Sequence, residues 1–173
     1  SAFLAPLLPL IIEKLSLSLT MAGTLSAMIQ IPSILNPVIG YLDEKKNLRT
    51  LMFFAPALTA TMICAIGLAP NYATLAFILF LAGLSSAVFH ALAPAFMARI
   101  SGRRLGMGMS YFMAGGEAGR TLGPLIAVGL VSLLTLQGIF PVALVGWGVS
   151  ILIFFRFRHT AVLSVKSDGF KKI

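Results

Sequence analysis

The chain has 173 residues, 58% of them hydrophobic and 10% charged, with a formal net charge of +8 and a mean hydropathy of +0.99. A soluble domain carries about a quarter charged residues, so this composition excludes one and predicts an integral membrane protein. The positive charge does not mark a nucleic-acid binder, because the bases fall in short gaps between apolar runs, where charge sets membrane topology.

The apolar runs predict six transmembrane helices in an all-α domain over residues 1–156. The first, 1–14, ends at Glu13-Lys14. It is shorter than the about 20 residues that span a bilayer, so the chain is expected to begin partway through its first helix. Pro6 and Pro9 make that helix irregular, as cavity helices often are. The second run, 20–42, stops at DEKKNLR, and the third, 50–69, stops at Pro70-Asn71. The lone cysteine, Cys64, lies in the third and reads as a small packing residue. The fourth run, 73–98, stops at ARISGRR. The fifth, 105–135, is longer than a crossing needs and is expected to tilt, kink or project. The sixth, 139–156, stops at RFRH, and 157–173 form a basic tail.

Basic residues follow the even-numbered runs: Lys45, Lys46 and Arg49, then Arg99, Arg103 and Arg104, then Arg156, Arg158 and the tail lysines. The odd-numbered gaps hold only Lys14. By the positive-inside rule the even gaps and both termini are cytoplasmic. That places the chain as a multi-pass protein in a plasma membrane, the inner membrane of a bacterium.

The gap after the second run reads Gly40-Tyr41-Leu42-Asp43-Glu44-Lys45-Lys46-Asn47-Leu48-Arg49. A glycine, acids, bases and a residue able to enter the left-handed conformation make a tight charged turn, with Asn47 in the left-handed position. It resembles the loop signature of the major facilitator superfamily, G-x-x-x-D-R/K-x-G-R/K-R/K. Gly40, Glu44, Lys45 and Arg49 fill its slots, while Asn47 and Leu48 depart from it. In that family the loop steadies one state of the alternating-access cycle.

In the fifth run Gly115, Gly119 and Gly123 recur every four residues and Pro124 follows. Small residues at this spacing form a groove for close helix contact. The pattern resembles the fifth-helix motif of drug–proton antiporters in the same superfamily, without its closing glycine pair, since Ala127 and Val128 stand there. Phe89-His90 and Gly115-Gly116 are similar to the fosmidomycin-resistance branch, although Ala91-Leu92 and Glu117 replace that branch's usual neighbours. The resemblance implies one six-helix half of a twelve-helix transporter, coupled to protons and exporting a small organic molecule.

Glu117 and Arg120 lie about 18 and 22 Å along the fifth helix from Leu105, and within about 60° of each other. A charge at such depth costs about 2.5–3.5 kcal/mol against lipid, so neither is expected to face it. They either neutralise one another or line a cavity, where Glu117 would carry a proton and Arg120 an anionic group. Pro124 removes the amide partner of the Arg120 carbonyl and predicts a bend there. His90, about 13 Å in from Arg99 by helical rise, is either a hydrogen-bonded interhelical residue or a proton or substrate contact. Gln30 lies on a small polar stripe with Gly23, Ser26, Ser33, Pro37 and Gly40, which either packs or lines water.

No nucleophile–base pair, phosphate loop or metal-ligand spacing is present in the sequence, so no enzyme, metal or cofactor is expected. The expected partners are the lipid bilayer, protons, a small-molecule substrate and a second six-helix half. Two other readings stay open: a half-size protein that homodimerises, and a non-transporting subunit that binds a partner through its glycine face.

Overall fold

A computed structural model describes residues 4–159. Its helices are α1 (Leu4–Leu15), α2 (Leu19–Met28), α3 (Asn36–Lys46), α4 (Arg49–Ala65), α5 (Tyr72–Ser101), α6 (Leu105–Gly138) and α7 (Ala143–Phe157), with short 3₁₀ turns between them. The basic tail lies outside the described residues.

Four helical segments are long and apolar enough to cross a bilayer: Leu19–Lys46, Arg49–Leu68, Tyr72–Thr135 and Phe140–Phe157. The third runs for 64 residues. At 1.5 Å each that is about 96 Å, some three times the hydrocarbon core, so it has to double back. It does so at Gly102, where φ is 49° and ψ −120°, a conformation open to glycine and strained for other residues. Helix α1 rises only about 18 Å, short of a crossing.

Sequence periodicity predicts one helix over 20–42, whereas the chain breaks into α2, a 3₁₀ stretch at Ile31–Leu35, and α3. Pro32 and Pro37 are the cause: each lacks an N–H and presses on the carbonyl four residues back. Side chains re-satisfy the loosened backbone. Ser33 Oγ donates to the Gln30 carbonyl at 2.7 Å, and Gln30 Nε2 donates to the Ser26 carbonyl at 2.9 Å. The break lies against α5 at Gly83, where a Cβ would collide with the Ile29 carbonyl. Glycine there lets the two backbones cross in contact.

The fifth run differs from expectation in another way. From Leu105 the dihedrals stay helical through Arg120 as far as a kink at Thr135, with φ 64° and ψ 168°.

Two apolar clusters organise the bundle. One joins Leu7, Ile11, Leu25, Ile66, Leu75 and Leu79 at the end where α1 meets α2. The other joins Ile39, Met52, Phe53, Leu92, Ala93 and Phe96, with Phe154 and Phe157 against it, at the basic end. Between them, polar groups stitch α4 to its neighbours. Pro56 interrupts α4, and the Ala57 N–H donates to Ser150 Oγ of α7 at 2.9 Å. Trp147 Nε1 donates to Thr61 Oγ1 at 3.0 Å, and Ser85 Oγ of α5 donates to the Ala55 carbonyl at 2.7 Å. Lipid offers backbone groups no partner, so each such bond replaces one that water would otherwise make.

Candidate functional site

The basic end carries the first of two charge constellations. Helix α3 ends at Lys46, and Asn47 enters the left-handed region with φ 48° and ψ 72°. This is the turn position that the sequence assigns to it, and its N–H closes onto the Asp43 carbonyl. The turn brings the Leu48 N–H to Asp43 Oδ1 at 2.8 Å, which caps the entry to α4. Asp43 Oδ2 accepts from Arg99 Nη1 of α5 at 3.1 Å. The Asp43 carboxylate therefore satisfies a backbone amide and a guanidinium at once, and its side chain is 8% exposed.

The acid that does this is Asp43, one residue before the slot that the loop signature gives to Glu44. Glu44 is exposed. The helical face explains the shift. Ile39 and Asp43 are four residues apart, both buried, and both turned to α5, while Glu44 is rotated by about 100° away. Reading the i, i+4 relation from the apolar Ile39 finds Asp43 where slot counting finds Glu44. Arg99 was readable only as a topological charge, because its partner lies 56 positions away. Among the remaining signature residues, Gly40 is half-buried with open space where a Cβ would stand. Lys45 Nζ sits 4.5 Å from the Tyr41 ring centroid. Arg49 Nη2 donates to the Arg158 carbonyl at 2.7 Å, tying the start of α4 to the end of α7.

The second constellation lies along α6. Glu117 Oε1 and Arg120 Nη1 are 3.5 Å apart, and their side chains are 71% and 74% exposed. Residues 113–122 are exposed on every side. Gly115, Gly116 and Gly119 have nothing within 4 Å of where a Cβ would stand, whereas Gly123 is buried and Pro124 half-buried. None of the described helices thus fills the groove at the first three glycines. Thr121 Oγ1 donates to the Glu117 carbonyl at 3.0 Å, which keeps its hydroxyl on its own helix.

His90 projects from α5 as an exposed side chain, edge-on to Phe89 with centroids 5.9 Å apart, and within electrostatic range of Arg120. His90 on α5 and the Glu117–Arg120 pair on the neighbouring α6 are thus all exposed. Gln30 is exposed too, but its amide is committed to Ser26 of α2. Among the described residues no group of three or more His, Cys, Asp or Glu side chains is placed to hold a metal ion.

Apolar helices that double back between two ends, one of them basic and locked by an ion pair, define a multi-pass α-helical membrane protein. Residues 1–172 match the family model of the Major Facilitator Superfamily, and the chain belongs to that family. This places it in a transporter family and not among enzymes. It is 30% identical over 129 residues, 72% of this chain and 31% of the relative, to the MFS-type transporter YfnC of Bacillus subtilis (strain 168). It is 29% identical over 125 residues, again 72% of this chain and 31% of the relative, to the fosmidomycin resistance protein of Escherichia coli (strain K12). The match thus spans about a third of the length of these relatives. No solved structure gives a significant match.

Proposed function

We propose that the chain forms the N-terminal six-helix half of a secondary transporter, with both ends of this half at the cytoplasmic face of a bacterial inner membrane. The transporter exports a small organic molecule carrying an anionic group, in a cycle coupled to protons, by alternating access. A second six-helix half completes the pathway.

The observation that carries this reading is the exposure of Glu117 and Arg120 in the middle of an otherwise apolar helix. Each would cost about 2.5–3.5 kcal/mol against lipid, and an i,i+3 pair returns only about 0.2–0.5 kcal/mol in water. A face with that balance belongs against a polar cavity. In the cavity the two charges have unequal freedom, since a guanidinium keeps its proton whereas a carboxyl group can take one up or give it away. Protonation of Glu117 removes the partner of Arg120 and releases the guanidinium for an anionic group; deprotonation restores the pair and expels that group. Proton binding and substrate binding are thereby coupled at one site. His90, on the adjacent helix, is the relay that brings the proton to Glu117 or contacts the same substrate group.

The Asp43–Arg99 lock supports the alternating part of the cycle. It fixes the α3–α4 turn to the end of α5 through charges that separate as a unit when that end opens. The resistance function named for the Escherichia coli relative supports export of a small molecule, and family membership supports the two-half architecture.

The test is transport by the full transporter in proteoliposomes with an imposed proton gradient. Glu117→Gln keeps shape and hydrogen bonding but holds no exchangeable charge. It is expected to leave substrate binding intact and to abolish gradient-driven accumulation. Unchanged gradient-driven accumulation in that variant refutes the assignment.

A further inference from the structure

The exposed face of α7 ends in a cation. Leu144, Gly148, Ile151, Phe155 and Arg158 fall within a sector of about 80° on that helix. All five are exposed, Leu144 at 71% and Phe155 at 59%. The stripe is apolar until its last member, which is a cation. From Leu144 to Arg158 it rises about 21 Å, the thickness of one leaflet with its headgroups. Gly148 interrupts it with a notch, as nothing lies within 4 Å of the position a Cβ would take.

The cation at the end is held in place. The Arg158 N–H bonds the Phe154 carbonyl at 2.8 Å, and its own carbonyl accepts from Arg49 Nη2 at 2.7 Å. Its guanidinium lies 4.9 Å from the Phe155 ring centroid and 6.0 Å from that of Phe154. Arg49 lies 5.9 Å from the Phe53 ring, and the Phe53 and Phe154 rings are 6.2 Å apart. Two guanidiniums therefore ride on neighbouring rings at the bilayer edge. Among the described residues no carboxylate lies in ion-pair range of Arg158, and Asp43, the buried acid of this end, is engaged by Arg99.

We infer that this stripe binds one anionic phospholipid of the cytoplasmic leaflet, its phosphodiester on Arg158 and an acyl chain along Phe155 and Ile151 into the Gly148 notch. The site discriminates by charge: a zwitterionic lipid brings its own cation to the Arg158 guanidinium, whereas an anionic one does not. The apolar length selects a lipid over a free phosphate. The inference needs the membrane placement of α7 but not the transport reading, so either can fail alone.

Native mass spectrometry of the full protein, titrated with phosphatidylglycerol or phosphatidylcholine, tests it. Phosphatidylglycerol is expected to be retained about fivefold better, the effect of one interfacial cation. Arg158→Gln should erase that preference while leaving the main-chain tie to Arg49 intact. Gly148→Leu, which meets open space and so should fold, is expected to weaken retention of both lipids. Arg103→Gln, on the same cytoplasmic surface but in the α5–α6 turn, should change nothing. Equal losses from Arg103→Gln and Arg158→Gln overturn the site in favour of a diffuse surface charge. Full retention in Gly148→Leu, or displacement of the lipid by millimolar glycerol phosphate, overturns the acyl groove.

Discussion

Asp43 and Arg99 come from helices α3 and α5, 56 residues apart, and meet at 3.1 Å with the acid side chain 8% exposed. Glu117 and Arg120 are one turn apart on α6, 3.5 Å from each other and both more than 70% exposed. The first pair needs the fold to exist and is surrounded by it. The second would form on an isolated helix and is left uncovered. An acid–base pair that closes a long loop and also caps a helix start stabilises architecture. A local pair left open at mid-helix closes no loop and ties down no second helix, which is why the proposed transport chemistry is assigned to it. This contrast separates two sites that composition alone would treat as the same scattering of charge in an apolar chain.

The contrast breaks most visibly at Glu117. Glu117→Gln should reduce gradient-driven transport to background while the melting temperature stays put, because the lost pair is worth only about 0.2–0.5 kcal/mol. A large drop in melting temperature would instead make the pair structural and erase the distinction. Asp43→Ala should do the reverse in kind. It strands the partly buried Arg99 guanidinium and the Leu48 N–H, so stability should fall by about 3 kcal/mol in a reversible unfolding titration. Restoring transport in Asp43→Ala by adding a stabilising ligand would separate its folding defect from any defect in the cycle.

The turn beside Asp43 sharpens the comparison at smaller scale. Asn47 holds a left-handed conformation that a β-branched residue reaches only at a cost of about 1–2 kcal/mol. Asn47→Val should therefore lose roughly that much stability, and Asn47→Gly should lose almost none. Both variants leave the α6 pair untouched, so binding of an anionic substrate to either, measured by calorimetry, should be unchanged.

How far the sequence could be read follows the same division. The apolar runs locate the helices because lipid admits only segments that satisfy their own backbone. The Asn47 turn was legible because few residues accept its dihedrals. Glu117, Arg120 and His90 stand out because charges are rare in apolar runs. The break at residues 29–35 was not read, although Pro32 and Pro37 are both visible. A membrane helix can absorb a proline, and Gly83, the neighbour that lets this one unwind, lies more than fifty residues away. The Asp43–Arg99 contact was missed for the same reason: a partner across the bundle leaves no local pattern. Helix α6 was legible in part: a kink in so long a run is expected and one occurs at Thr135, while the dihedrals around Arg120 and Pro124 stay in the helical range.

The smallest expected effect is the most direct check on which acid serves the loop. Family spacing gives the slot to Glu44, and geometry gives it to Asp43. The two side chains are adjacent and carry the same charge, so any long-range field treats them alike. Only the local contacts differ: Asp43 holds Leu48 N–H and Arg99, while Glu44 points to solvent at the exposed face of α3. Glu44→Gln should then shift stability by less than about 0.5 kcal/mol, the range of an unengaged surface position. Asp43→Asn keeps an oxygen for the Leu48 amide but drops the charge facing Arg99, so it should fall between Glu44→Gln and Asp43→Ala. If the two neutral variants are equally mild, the Arg99 contact contributes nothing and the lock reduces to a helix cap. If Glu44→Gln is the more damaging, the slot belongs to Glu44 after all. The order Asp43→Ala, Asp43→Asn, Glu44→Gln is what a buried carboxylate shared between an amide and a guanidinium demands.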